Sequence, residues 1–216
     1  MKYSKTLSMI IAGVTMGLIS SGAAIADGST QTSAMHNFAD QSVIANTEAT
    51  LVRLEGGVHI KIDTVGLTPG HAVTAWFVVF NSPEKCSGGA CGEDDIFILD
   101  SDGKFVLNAD GSPPMNMDGV KAANISVHRA AGIIIDDGGS AVFMGSLVIG
   151  DVSEAIFGGG LLDTHVAEVH IVIRDHQEAI SGSANQMVNS INGGCAKDFP
   201  NVPCEDLQFA VFKPSS

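Results

Sequence analysis

Basic residues are scarce in this chain. Eleven Lys+Arg stand against 24 Asp+Glu in 216 residues, a formal net charge of -13. A surface this acidic repels phosphate backbones and anionic headgroups, which argues against nucleic-acid and membrane-surface partners. Long apolar runs are missing after residue 19, so no later segment reaches the roughly 18 residues expected of a spanning helix. Familiar catalytic signatures are missing too. There is no G-x-S-x-G elbow, no H-E-x-x-H, no P-loop and no G-x-G-x-x-G opening a helix. Recurrent βα alternation is absent, which argues against a Rossmann-type sheet. There is no internal repeat and no low-complexity linker.

What is present begins with MKYSKTLSMIIAGVTMGLISSGAAIADGS. Lys2 and Lys5 precede an apolar run from Leu7 to Ile19, and Ala24-Ile25-Ala26 forms an A-x-A site before Asp27. This is the pattern of a secretory signal peptide. Residues 1–26 are therefore expected to be cleaved, leaving a secreted or periplasmic chain with no membrane insertion. Cleavage removes two lysines and no acid, taking the net charge from -13 to -15. The roughly 190 remaining residues suffice for one substantial core.

Four cysteines fall in two local pairs, CSGGAC (Cys86, Cys91) and CAKDFPNVPC (Cys195, Cys204). In an exported chain disulfides are the default. Three pairings are open to four cysteines; the local one is simplest, because each pair encloses a Gly- or Pro-containing loop. Cys86–Cys91 and Cys195–Cys204 are expected. Zinc would call for Cys-x2-Cys-type spacing, which neither pair has.

Residues 27–46 are small and polar and read as a flexible N-terminal arm, with 47–216 as a single domain. In ATLVRLEGGVHIKIDTVGLTPG, Val58, Ile60 and Ile62 alternate with His59, Lys61 and Asp63, the signature of a half-buried strand after a Gly56-Gly57 turn. HAVTAWFVVFN (71–81) is apolar on both faces and suits a central strand. DDIFILDSDGKFVLNADG predicts two short strands joined through Asp102-Gly103. NISVHRAAGIIIDDGGSAVFMGSLVIGD predicts two or three more, turning at Gly138-Gly139. Residues 164–174 and DLQFAVFKP complete the strands. One helix is expected over 183–192, capped by Ser183 and closed by Gly193, and DVSEAIF suggests a single helical turn. The fold class is mainly β: an antiparallel sandwich, immunoglobulin-like or Greek key.

DTHVAEVHIVIRDH (163–176) concentrates the candidate chemistry. In a strand, Glu168, His170, Val172, Arg174 and His176 share one face, while Ala167, Val169, Ile171 and Ile173 form an apolar core face. His165 falls on the core side, so the three histidines do not converge. Glu168 and His170 sit two apart and could share a metal or a proton if a neighbouring strand adds a third group. The plain alternative is a polar face on which Glu168 pairs with His170 or Arg174. Glu168, His170 and Arg174, with His71 at the sandwich edge, are the candidate ligand-binding residues. Glu168 and His170 are the candidate metal ligands, and no catalytic residue is assigned. His36, His59 and His128 read as structural. The acidic turns at Glu93-Asp94-Asp95, Asp100-Asp102 and Asp136-Asp137 do not match an EF-hand loop and fit hairpin chemistry better. Met115 and Met117 offer thioethers but fit loop packing better.

VHIKIDTVGLTPGHAVTAWFVVF resembles the strand-turn-strand of immunoglobulin-like sandwiches. Its turn, Gly66-Leu67-Thr68-Pro69-Gly70, is similar to one in fibronectin type III domains and copper/zinc superoxide dismutases. Val73 replaces the usual fibronectin tyrosine. The strand that carries the His-x-His copper pair in the dismutases reads Ala75-Trp76-Phe77-Val78, so the resemblance does not imply dismutase activity. The whole chain, with WFVVFNSPEKCSGGACGEDD, AEVHIVIRDH and LQFAVFKP, also resembles a group of uncharacterised exported bacterial proteins, which implies export and no particular reaction.

The expected function is a disulfide-stapled binding module of unknown ligand and oligomeric state, with no cofactor. The alternatives are a metal-dependent enzyme using the Glu168/His170 face with a divalent ion, and a structural or surface-assembly protein.

Overall fold

The computed structural model describes residues 28–109, 112–191, 193 and 204–215. The expected signal peptide lies outside these residues. The strands, in chain order, are β1 (Ser29–Ser33), β2 (His36–Asn37), β3 (Glu48–Leu54), β4 (Gly57–Val65), β5 (His71–Phe80), β6 (Ile125–Ile134), β7 (Ser140–Val148), β8 (Ala155–Phe157), β9 (Glu168–Glu178) and β10 (Glu205–Phe212). They form two antiparallel sheets, one of order β1-β3-β4-β7 and one of order β2-β10-β9-β5-β6-β8.

Period-two patterning makes the core between the sheets. Val58, Ile60 and Ile62 of β4 are buried there, with Leu51 of β3 and Phe143 and Leu147 of β7. Facing them are Val73, Ala75, Phe77 and Val79 of β5, and Val169, Ile171 and Ile173 of β9. The other face of β5 carries Trp76, Val78 and Phe80 into a second cluster with Cys91, Ala123, Ile125 and Val127. A strand apolar on both faces is thus covered on both.

The outer cover is the excursion 81–124. Backbone bonds from Asn81 to Asn124 and from Ser82 to Ala123 close its neck. It carries the Cys86–Cys91 bridge and helix α1 (Met117–Ala122), whose Asn116 cap accepts a bond from the Gly119 amide. Ile96 and Val120 pack from it onto the second cluster.

Arg53 joins the sheets. It lies on the inward face of β3 and is 0% exposed. Its Nε donates to Gln31 Oε1 at 2.8 Å. Its Nη1 donates to the carbonyls of Thr164 and Ala167, and its Nη2 to those of Phe212 and Lys213. Five donors thus meet five acceptors, saturating a guanidinium that has no carboxylate among these partners. Burial pushes its pKa down to about 10, so it stays charged at neutral pH.

Several local expectations are corrected. Residues 27–46 do not form a loose arm: β1 pairs with β3, β2 pairs with β10, and Met35 is fully buried. The polar side chains of β1 suit an edge strand, which needs no second apolar face. The two strands expected over 94–111 reduce to isolated bridges, Phe97 to Met115 and Leu99 to Phe105; Asp100 takes the amides of Asp102 and Lys104, so local turns replace a ladder. Residues 155–157, expected as a helical turn, are β8. The strand expected at 164–174 runs instead from Glu168 to Glu178, because Asp163 captures the amides of His165 and Val166 in a turn. The helix expected over 183–192 is one turn, α2 (Ala184–Met187), and the Ser183 side chain does not cap it.

Candidate functional site

The four candidate ligand-binding residues do not converge. Glu168 and His170 do meet, with His170 Nε2 2.7 Å from Glu168 Oε1. The same oxygen takes Lys213 Nζ at 2.8 Å, and the His170 ring lies 4.8 Å from that of Phe80. Burial raises the Glu168 carboxyl, but the bonds from His170 and Lys213 outweigh it and hold the group below the usual range. Arg174 bonds to Asp206 instead, at 2.6 Å. His71 bonds through Nδ1 to Asp175 Oδ2 at 2.9 Å, in the register of Glu178 rather than Glu168. Ten strand residues separate those registers, about 33 Å of extended chain. The expected single site is three local pairs.

Among the described residues no third ligand joins Glu168 and His170, and one group of three candidate ligands comes together: Cys86, Cys91 and Asp95. Its two sulfurs are bonded to each other. Asp95 is already occupied by the amides of Ser87 and Gly92, at 2.7 and 3.0 Å. Of the other expected site residues, the Cys86–Cys91 bridge forms and Cys204 is disulfide-bonded. Cys195 lies outside the described residues. Met117 opens α1 as an exposed side chain, and Met115 bridges Phe97.

The outward face of β9 proves largely covered. Glu168 and His176 are buried. His176 Nδ1 stands 2.5 Å from the Gly193 carbonyl, which can only accept. The ring therefore donates from Nδ1 and, when neutral, accepts at Nε2 from Thr74 Oγ1 at 2.7 Å. Thr74 in turn accepts from Trp76 Nε1 at 2.6 Å. Burial depresses the His176 pKa, offset in part by the Gly193 bond. His128, which showed no partner in the sequence, is buried with Nε2 2.6 Å from Ser126 Oγ. Burial lowers its pKa as well, against the pull of Asp151. Glu93, within the excursion, is raised by burial and then by the charges of Asp206 and Asp94. His165 bonds Ser215, and His36 bonds the Gln41 carbonyl. These polar groups serve the fold.

A different feature faces solvent. Among the described residues β7, outermost in its sheet, pairs only with β4 along Ser140–Val148; just past its end Ile149 bridges Leu161, and the Gly150 amide donates to the Leu161 carbonyl. It is nine residues long, SAVFMGSLV, without charge or proline. Ala141, Phe143 and Leu147 point inward, while Val142, Met144 and Val148 point outward and are 52%, 69% and 56% exposed. The other outermost strands are guarded: β1 is five polar residues, β2 two residues and β8 three. Long apolar edges without charge, proline or cover are what folded proteins ordinarily avoid. Beside β7, His59 Nδ1 meets Ser146 Oγ at 2.6 Å across the strand pair. A shallow depression of about 210 Å³ opens there between Leu54, Gly57, His59 and Val148.

No protein-family model, characterised protein or solved structure matches the chain, so its function is argued from this geometry. Sequence reasoning placed a strand in SAVFMGSLV but assigned it no role. The available signal was the interval between Asp137 and Asp151, which holds no charged residue. That the strand lies at an edge is a matter of topology, which the interval does not state.

Proposed function

We propose that the protein is an exported binding module that recognises a polypeptide strand along β7, extending the four-stranded sheet by one or more strands. The carrying observation is the contrast among edges: three are short or polar, and β7 is long, uncharged and apolar on its exposed face. Strand addition uses main-chain hydrogen bonds for affinity and alternate side chains for specificity. Val142, Met144 and Val148 supply such an alternating row. The N-terminal A-x-A segment and the Cys86–Cys91 disulfide support an extracytoplasmic setting.

The test is residue-resolved amide exchange in dilute protein. An open edge has slow amides that bond β4 alternating with fast amides that face outward. Uniform protection along Ser140–Val148 would overturn the reading.

A further inference from the structure

We propose that the strand received by β7 is β7 of a second copy, run antiparallel about a twofold axis at Met144. This rests on the open-edge reading and names its occupant. The strand is complementary to itself in that register. On the inward side Phe143 falls beside Gly145 of the second copy, and Leu147 beside Ala141, large against small. On the outward side Val142 falls beside Ser146, and the two Met144 side chains meet at the axis. Period-two alternation is preserved throughout, so apolar faces stay with apolar faces.

Charge is sparse along the seam but not at its ends, where the register sets Asp137 near Asp151 of the second copy, so salt should strengthen the pairing. Two cleaved chains, each of net charge -15 (the -13 of the full sequence less Lys2 and Lys5), repel over most approaches. The β7 edge carries no charge, and on the adjoining outward face of β4 Lys61 neutralises Asp63 at 2.7 Å. A Cβ on Gly145 would point inward and meet Ala130 of β6, so β6 passes beneath β7 and not along its lateral edge. An isologous pairing of this kind closes on itself as a dimer and does not propagate into fibres.

The test is the mass of the purified exported chain by light scattering over a concentration series. The expected result is twice the single-chain mass, with dissociation in the micromolar range that a small interface gives. The V142K/M144K variant should return to the single-chain mass. Both positions are exposed, so its melting temperature and Trp76 emission should match the parent. Ser146→Lys, at an exposed polar position, should break the pairing as well. A double mass that survives V142K/M144K would overturn the proposal by placing the contact elsewhere. A single-chain mass at every concentration would overturn it too. Amide exchange in that monomer then separates the two readings: fast outward amides on β7 remove only the second copy as occupant, while uniform protection removes the open edge itself.

Discussion

Gly145 of β7 rests directly on Ala130 of β6: a Cβ placed on Gly145 would stand 2.8 Å from the Ala130 carbonyl oxygen and 2.9 Å from its Cβ. Two small residues let the sheets approach closely here, and this contact helps position β7 over β6. Gly145→Val should therefore push β7 off β6 and destabilise the protein by about 1–3 kcal/mol, as overpacking does. Urea unfolding measures this. Unchanged stability would mean the two strands have room that the contact denies.

Arg53 predicts a larger loss. Arg53→Ala leaves four carbonyls and the Gln31 amide oxygen without their donor in a dry interior. The expected cost is about 3–5 kcal/mol, since each buried acceptor left unsatisfied costs about 1–3 kcal/mol and part of the set can be rehydrated. Arg53→Lys supplies three donors for five acceptors and should recover only part. A lysine variant as stable as the parent would remove the clasp from the account.

The balance of readable and unreadable features follows from distance along the chain. Alternation at Val58, Ile60 and Ile62 and the two apolar faces of β5 were legible, because burial on a strand follows period two. Arg53 could be placed inward with Ala49 and Leu51 by the same count. Its carbonyl partners lie 111 to 160 residues away, so its role could not be read locally. The polar row on β9 looked like a solvent face for the same reason. Its cover comes from the 81–124 excursion and the segment around Gly193, whose apolar residues are too sparse to announce a packing face. Arg174 went to Asp206, and His71 to Asp175, through strand pairings that no spacing within 163–176 encodes.

Two buried histidines give the protein an acid limit. Burial holds His128 and His176 below the ordinary imidazole value of 6.5. Below that value the unfolded chain takes up protons before the folded one, so stability falls as pH drops through this window and is flat above it. Glu168 adds a second loss further down. Its carboxyl is depressed, so its contribution is full above the ordinary value of 4.5 and disappears as pH falls through the folded value. The melting temperature should be level from pH 8 to 7 and decline from about 6.5. His176→Gln should flatten the upper part of that decline, and an unaltered profile would contradict the assignment.

The bridge in the excursion has its own reporter. Trp76 is the only tryptophan, 3% exposed, and packs in the cluster that Cys86 and Cys91 join. C86S/C91S should lower stability by about 2 kcal/mol in the loop-entropy model and shift Trp76 emission to the red. The far-ultraviolet signal of the sheets should persist. Loss of that signal together with the emission shift would show that the bridge holds the sheets themselves.

The recognition edge is tested most directly by photocrosslinking purified protein from single positions. Benzoylphenylalanine in place of Met144 should yield a covalent adduct whose cross-linked peptide comes from the β7 segment of a second chain. The same group in place of Thr32, exposed on β1 at the opposite edge of the same sheet, should yield none. Equal yields from the two positions, or none from position 144, would contradict the pairing of β7 with a second copy.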